Sequence, residues 1–232
     1  MKITANIATY PPRKESLRKM LKSIEGQFDV IRICFNGYSE IEMNNFCDTH
    51  NVEGFVNVKG IDYTDNGKFY ALDIITEPEY YFTLDDDLIY PPNYVQSTIK
   101  AIQRYGCIVT HHGRVLNGEG LDYYYAHQAY RCLDDVHQSI MLDVAGTGVT
   151  AFDTRYFHPK GLANSPDKLM SDLVFSLEAA KQGKVIGIPS HDRGWIKQIK
   201  NRQTIFDTCE IKGYQRQNEI ADEIWKLKYQ QQ

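Results

Sequence analysis

Three consecutive aspartates, Asp85, Asp86 and Asp87, directly follow the aromatic and apolar run 80–84. Such a run predicts a buried strand, and carboxylates are seldom placed beside a buried strand without a partner. Repulsion between the three charges has to be offset by positive charge, most simply by a metal ion. In an extended chain Asp85 and Asp87 point to one side and Asp86 to the other. Such a pair can place one carboxylate on Mg²⁺ or Mn²⁺ and the other on a ligand hydroxyl. The alternative is a solvated acidic turn.

His191 and Arg193 lie in the segment 189–195, after another predicted strand. A neutral imidazole at His191 would complete the shell of a Mn²⁺ ion, which accepts mixed nitrogen and oxygen ligands. Arg193 would hold a phosphate. The alternative for His191 is an ordinary hydrogen-bonded or surface histidine.

Asp172 and Lys68 both lie near the start of a predicted helix. Asp172 is a candidate general base facing a cleft, although an acid in a first helical turn is also favoured by the helix dipole. Lys68 follows the Asn66-Gly67 turn, where a cation opposes the dipole, so it is either solvated or held near an anionic ligand. The glycines of 146–148 allow close approach of a ligand, or they form a strand turn.

Strands and helices alternate through the first 110 residues. The pattern predicts strands at 2–9, 30–35, 54–58, 80–84 and 107–110, and helices before 26, at 41–50, at 68–76 and after 92. This order predicts an α/β fold with a mainly parallel sheet flanked by helices. Ligands of such sheets bind beyond the carboxyl ends of the strands. Asn36 and the three aspartates lie at such ends, so we expect them to be close together.

The second half of the chain is less regular. Residues 113–135 are predicted to be rich in loops, with strands at 142–145 and 149–152, a helix at 168–182 and a strand at 184–188. His111-His112 and the tyrosine run 123–125 are candidates for an acceptor site, or are simply structural. The tail carries an amphipathic stretch with Ile224 and Trp225, which could cover the site, dimerise or touch a membrane.

Composition places the chain among globular proteins and excludes several classes. The 232 residues carry a net charge of −4, which gives no electrostatic reason to expect nucleic acid as a partner. The five cysteines form no C-x-x-C pair, which argues against a zinc site or a disulfide framework. The first residues are too polar for a signal peptide, and no run is long enough to span a membrane. We expect a cytoplasmic protein, with peripheral contact at the inner face of a membrane as a further expectation.

In their order along the chain, these motifs resemble the inverting family 2 glycosyltransferases of GT-A fold. The segments that carry the resemblance are 9–13 with the helix after it, 35–39, 66–72, 82–87, 145–148 and 171–173. It covers about residues 2–195. The sequence departs from the family at Pro11-Pro12, at Asn36, where the family has a base-contacting aspartate, and at Ser171, where it has the first acid of a catalytic pair.

The resemblance implies one GT-A domain over 1–232, with a nucleotide-sugar half (1–110), an acceptor and catalytic half (111–195) and a tail (196–232). It implies a nucleotide-sugar donor, with UDP the expected nucleotide, and a glycan or lipid-linked acceptor whose hydroxyl is deprotonated by Asp172. Asp87 and His191 would bind Mn²⁺ or Mg²⁺, and Asp85 would contact ribose or share the metal. The remaining donor contacts would come from Thr9, Tyr10, Arg13, Asn36, Lys68, Asp86 and Arg193.

Three other classes stay open from the sequence. A nucleotidyltransferase could use a related sheet, although it would usually carry a glycine-rich basic loop where this chain has Tyr10-Pro11-Pro12-Arg13. A retaining transferase of the same fold would not need Asp172 as a base. A non-catalytic carbohydrate-binding module could use the aromatic surface near 123–130. The sequence predicts no oligomeric state.

Overall fold

The strands and helices are those of an α/β protein. The computed structural model describes residues 1–56, 62–120, 122–125, 127–200 and 214–230. The strands of the first half are β1 (Lys2–Thr9), β2 (Val30–Phe35), β3 (Glu53–Val56), β4 (Glu79–Leu84), β5 (Leu88–Ile89) and β6 (Ile108–Thr110). Those of the second half are β7 (Gly113–Leu116), β8 (His127–Tyr130), β9 (Ile140–Leu142), β10 (Val144–Ala145), β11 (Val149–Asp153), β12 (Ile186–Ile188) and β13 (Lys197–Gln198). The helices are α1 (Lys14–Ser23), α2 (Glu40–His50), α3 (Tyr94–Tyr105), α4 (Ser171–Lys181) and α5 (Gln215–Tyr229), with 3-10 turns at Pro11–Arg13, Thr64–Asp73 and Leu162–Asn164.

The central sheet has eight strands in the order β3-β2-β1-β4-β11-β6-β12-β9. Strands β3, β2, β1 and β4 are parallel to one another, whereas β11 runs antiparallel between β4 and β6. Residues 4–7 of β1 are all buried, as expected for a strand covered on both faces. The predicted α/β fold, with a mainly parallel sheet flanked by helices, is confirmed.

Several predicted elements differ from those found. The helix expected at 68–76 is a 3-10 helix that begins four residues earlier. The strand expected at 142–145 is two strands, β9 and β10, which belong to different sheets on either side of Asp143. The loop-rich region also contains strands, since β7 pairs with β8 and β10 in a small sheet. Residues 57 and 58 of the predicted third strand lie outside the described residues.

The amphipathic tail packs onto the rest of the protein. Ile220 and Ile224 of α5 are fully buried in a cluster with Leu116, Val144 and Leu173. Burying this apolar side stabilises the helix, because an isolated helix of this length is marginal in water. Within the described ranges, no helix has the length and hydropathy needed to cross a membrane.

Candidate active site

A cavity of about 830 Å³ opens at the carboxyl ends of β1, β2 and β4, a volume typical of small-molecule sites. Its lining joins residues that are far apart in sequence. The predicted site residues among them are Thr9, Tyr10, Arg13, Asn36, Lys68, Asp85, Asp86, Asp87 and Asp172. The glycine segment 146–148, His112, Tyr123 and Tyr124 line the same cavity. The structure therefore brings most of the predicted site together.

Strand register places Thr9 beside Asp86. Ile7 of β1 is the partner of Leu84 of β4, so two residues further along Thr9 is level with Asp86. The Thr9 hydroxyl donates to Asp86 Oδ2 at 2.7 Å. Burial raises the pKa of Asp86 to about 7, although this hydrogen bond and the charge of Arg13 oppose the rise. Asp86 is thus set into the wall of the cavity, with only 8% of its surface exposed.

The proline turn directs Arg13 back towards the aspartates. Pro11 and Pro12 open the 3-10 turn, where their fixed φ suits the first helical positions. Arg13 Nη1 then donates to Asp87 Oδ2 at 2.6 Å, and its guanidinium carbon lies 6.0 Å from the centre of the Tyr10 ring. Burial would lower the pKa of Arg13, but the charges of Asp87 and Asp86 outweigh it and raise that pKa.

Lys68 is the second cation at the triplet. Its Nζ donates to Asp85 Oδ1 at 2.7 Å, and only 4% of its side chain is exposed. Burial alone would lower the pKa of Lys68, but the charges of Asp85 and Asp65 raise it overall. Of the two alternatives for Lys68, the solvated one is therefore wrong, since the ammonium is buried against a carboxylate.

These contacts change the electrostatic argument for a metal. Arg13 and Lys68 each neutralise one carboxylate of the triplet, and Asp86 has a pKa near neutrality. The protein's own side chains thus supply the positive charge that offsets the repulsion, so the repulsion alone gives no reason to expect a metal ion. The metal stays a prediction that rests on the resemblance and on the kind of ligands present.

The side chain of Asp85 is fixed from a second direction by the glycine segment. A β-carbon at Gly148 would overlap the Asp85 carboxylate, so only glycine allows this close approach. The Tyr90 hydroxyl donates to the Gly148 carbonyl at 2.6 Å and accepts from the backbone N–H of Asp85 at 2.9 Å. Tyr90, which was not among the predicted site residues, therefore ties the end of β4 to this segment.

Asp172 is oriented by the same segment. The backbone N–H and the hydroxyl of Thr147 both donate to Asp172 Oδ1, each at 2.7 Å. Ser171 Oγ lies 2.8 Å from the Thr147 hydroxyl. Within the described part of the chain, Asp172 Oδ2 forms no hydrogen bond. One oxygen is thus held by the protein while the other is available to a ligand in the cavity.

Asp65 holds the start of α4 in place. Its two carboxylate oxygens accept from the backbone N–H groups of Leu169 and Ser171, each at 2.9 Å. The first of these donors, Leu169, has a left-handed backbone conformation with φ 60°, which is unfavourable for a residue with a β-carbon. Asp65 compensates for this conformation and satisfies an N–H at the helix start, as a capping side chain does.

The side chain of Asn36 forms hydrogen bonds within the wall of the cavity. Its Nδ2 donates to the Thr64 carbonyl at 2.9 Å, and its Oδ1 lies 3.7 Å from the Cys34 sulfur. Thr64, like Leu169, has a positive φ. The amide therefore supports the start of the 3-10 helix that carries Asp65 and Lys68, while still lining the cavity.

The structure places His191 and Arg193 outside the lining of the cavity, contrary to the prediction that they act there. The ring of His191 packs 5.5 Å from that of His111 and 6.2 Å from that of Trp195, and its Nδ1 lies 3.1 Å from the Pro189 carbonyl oxygen. Arg193 is largely exposed and pairs with Asp134 and Asp135 at the surface. Both predictions relied on the end of β12, which lies three strands away from β4 within the same central sheet.

Asp85 and Asp87 are the carboxylates that could hold a metal. Across residues 1–56, 62–120, 122–125, 127–200 and 214–230, no cluster of three or more histidine, cysteine or acidic side chains has the arrangement of a metal site. Two carboxylates nevertheless suit Mg²⁺ or Mn²⁺, which commonly bind one or two protein carboxylates together with phosphate oxygens of a substrate. The available ligands therefore fit a metal that binds with a diphosphate.

Two arginines in the lining, Arg114 and Arg131, were not predicted as site residues. Arg114 lies on β7 and Arg131 follows β8, in the region expected to be mostly loop. The short strands there contain no alternating apolar pattern, so the sequence carried no signal that both arginines face one cavity.

Comparisons with known proteins identify the fold. No family model matches this chain. No curated protein matches it either.

Solved structures do match, at low sequence identity. The inositol-1-phosphate CTP transferase from T. maritima has a TM-score of 0.50 and 12% identity, and the match covers 97% of both chains. A 4-diphosphocytidyl-2C-methyl-D-erythritol synthase has a TM-score of 0.53 and 10% identity, over 90% of this chain and 97% of that one. S. aureus TarS 1-349 has a TM-score of 0.50 and 12% identity, over 83% of this chain and 59% of that one. In a longer TarS chain the match spans 36% of the length. The fold is thus that of GT-A enzymes and nucleotidyltransferases.

Proposed function

We propose that this protein is an inverting glycosyltransferase that resembles family 2. It would move a sugar from a nucleotide-diphosphate donor, with UDP the expected nucleotide, to a hydroxyl of a glycan or lipid-linked acceptor. The observation that carries the proposal is the single cavity lined by Lys68, Asp85 and Asp87 together with Asp172. A site for a diphosphate leaving group and a site for a base are both needed for such a transfer.

The donor would lie across the ends of β1, β2 and β4. Thr9, Tyr10 and Asn36 line the side where its nucleoside would bind. Arg13 and Lys68 are the cations that would face the diphosphate, held ready by their ion pairs with Asp87 and Asp85. A Mg²⁺ or Mn²⁺ ion bound by Asp85 and Asp87 would add Lewis-acid neutralisation of the leaving group.

The acceptor would be activated by Asp172. Its Oδ2 would take the proton of the acceptor hydroxyl as the new bond forms between that oxygen and the anomeric carbon. The bond between the anomeric carbon and the diphosphate oxygen breaks at the same time, and the nucleoside diphosphate leaves with the electron pair. Attack from the face opposite the leaving group inverts the anomeric centre. The two hydrogen bonds from Thr147 hold the carboxylate in one orientation for this role.

The test begins with donor binding. Thermal unfolding is measured with a panel of nucleotide-sugars, with and without Mg²⁺ or Mn²⁺, because a ligand that binds only the folded state raises its stability. Asp172→Asn, which keeps the size and one acceptor oxygen, should leave the donor-induced shift intact and lower turnover by about 10²-fold or more. Asp87→Ala should instead abolish the shift. Near-normal turnover in Asp172→Asn would contradict the assignment of Asp172 as the base. The anomeric configuration of the product, determined by NMR, tests whether the reaction inverts the anomeric centre.

The second candidate is a nucleotidyltransferase. The similarity to the inositol-1-phosphate CTP transferase and to the 4-diphosphocytidyl-2C-methyl-D-erythritol synthase, over at least nine-tenths of both chains, supports it. In this chain the turn after β1 contains two prolines and no glycine, which is unlike the glycine-rich loop of that class. Incubation with a nucleoside triphosphate and a sugar phosphate distinguishes the two, since only a nucleotidyltransferase releases pyrophosphate.

A further inference from the structure

Arg114 and Arg131 line the cavity and have no part in the donor contacts or in the proton transfer proposed above. Neither forms an ion pair with a carboxylate among the described residues. The donor end differs, since Arg13 pairs with Asp87 and Lys68 with Asp85. Among the described residues that line the cavity, two cations thus have a carboxylate partner, and Arg114 and Arg131 do not.

Arg114 is held in place by neutral groups. It donates through Nη1 to the Tyr123 hydroxyl and through Nε to His127 Nε2, the latter at 3.3 Å. Its guanidinium carbon also lies 4.7 Å from the centre of the Tyr123 ring and 5.9 Å from that of Tyr124. Stacking of this kind orients a guanidinium without neutralising it. An anionic ligand would thus meet a positioned donor at little entropic cost.

The pairing of β7 with β8 brings Arg131 to the end of the small sheet at which Arg114 lies. Gly113 is the partner of Tyr130, so Arg131, the next residue, is level with His112. His112 and Tyr123 line the same cavity as these arginines and the proposed base. Burial lowers the pKa of His112, an effect that the charge of Asp172 opposes and the charge of Arg114 reinforces. Arg114 and Asp172 thus act on the same buried imidazole from within one cavity.

We propose that the acceptor carries an anionic group, a carboxylate or a phosphate, which Arg114 and Arg131 bind while Asp172 receives the acceptor hydroxyl. This inference rests on the proposed function of the cavity as a site of sugar transfer. A neutral acceptor would cover Arg114 without supplying a partner for its charge, and an unpaired charge is costly to desolvate. An anion accepts from the free guanidinium N–H groups in the geometry that arginine favours.

The test compares matched small acceptors. Glucose, glucuronate and glucose 6-phosphate are titrated by ligand-observed NMR into the protein saturated with UDP and Mg²⁺, and separately into the protein without nucleotide. At least one anionic probe should bind about tenfold more tightly than glucose, because charge-assisted hydrogen bonds add affinity. The relative affinities of glucuronate and glucose 6-phosphate distinguish a carboxylate from a phosphate as the preferred group.

Three variants assign the effect to residues. Arg114→Met and Arg131→Met should each reduce the preference for the anionic probe severalfold, and the double variant should abolish it. Arg131 is exposed, so its variant remains informative if Arg114→Met does not fold. The matched control is Arg104→Met, because Arg104 also stacks on a tyrosine, at 5.4 Å, but does not line the cavity.

Several results would overturn the inference. These are equal affinity for neutral and anionic probes, failure of both anionic probes to bind, survival of the preference in the double variant, or its loss in Lys68→Met alone. The last result would place the anion at the donor end. Failure of the proposed function has a separate readout. If no nucleotide-sugar stabilises the protein, the proposed sugar transfer is contradicted, whereas the binding of the anionic probes is still measured in the absence of nucleotide.

Discussion

At the residue scale, the three aspartates differ because of what surrounds each one. Asp87 pairs with Arg13 and Asp85 with Lys68, whereas Asp86 is buried behind a threonine hydroxyl. Two cations and one raised pKa make a cluster of three acids tolerable in a folded protein. A diphosphate that shared Arg13 and Lys68 with the carboxylates would find both cations already positioned. The cluster is therefore preorganised by the protein itself.

A substitution at Gly148 tests the position of the Asp85 carboxylate without any ligand. In Gly148→Ala the added methyl group would overlap the Asp85 carboxylate, which would have to leave Lys68. We expect a loss of about 1–3 kcal/mol in the free energy of unfolding, as for other overpacked sites. Chemical denaturation measures it. The clash is with one side chain, so the loss should largely disappear when Gly148→Ala is made in an Asp85→Ala background. The same loss in both backgrounds would contradict the contact.

At the element scale, the 3-10 helix Thr64–Asp73 connects the two halves of the cavity. Lys68, in the middle of this helix, reaches the aspartates, and Asp65, near its start, accepts from the backbone at the start of α4. Asn66 adds a hydrogen bond from its Nδ2 to the Asp167 carbonyl at 3.0 Å. The position of the proposed base thus depends on the element that holds the proposed diphosphate site.

Asp65→Ala should separate these two roles. Loss of both accepted hydrogen bonds should cost about 1–2 kcal/mol, as for a removed helix cap, and release the first turn of α4, which carries Asp172. We expect kcat to fall at least tenfold with little change in the KM for the donor, measured by steady-state kinetics once a donor is known. Asp73→Ala is the matched control, because Asp73 accepts from the Gly161 N–H at the other end of the same helix. An equal fall of kcat in both variants would contradict the role of Asp65.

The elements also show what the sequence could predict. Strand ends at Thr9, Asn36 and Asp85 were predictable because buried strands have a local pattern and parallel strands end at one edge. The 3-10 geometry at 64–73 was not, because it depends on Asp65 contacts more than 100 residues away. Arg114 was missed for the same reason, since its place in the cavity depends on the pairing of short strands without periodicity.

At the scale of the whole molecule, α5 contacts Asp143, where the chain passes from the central sheet to the small sheet. Asp143 lies between β9 and β10, and only 2% of its surface is exposed. Lys228 pairs with it at 2.7 Å, and the Tyr229 hydroxyl donates to it at 3.0 Å. The Leu116 N–H of β7 donates to its other oxygen at 2.8 Å. The end of the tail helix therefore secures the small sheet that carries Arg114.

Lys228→Met tests whether α5 belongs to the same folding unit as the cavity. The change leaves a buried carboxylate without its cation, for which we expect a loss of about 1–3 kcal/mol in the free energy of unfolding. Lys226→Met is the matched control, because Lys226 lies on the same helix but pairs with Glu119 at the surface, where such pairs contribute little. Denaturation followed by tryptophan fluorescence and by circular dichroism should give one coincident transition in all variants. Adding Asp143→Asn to Lys228→Met should restore part of the loss, since the uncompensated charge is then removed. Equal effects of the two lysine variants, or a separate early transition of the helix, would show that α5 is only loosely attached.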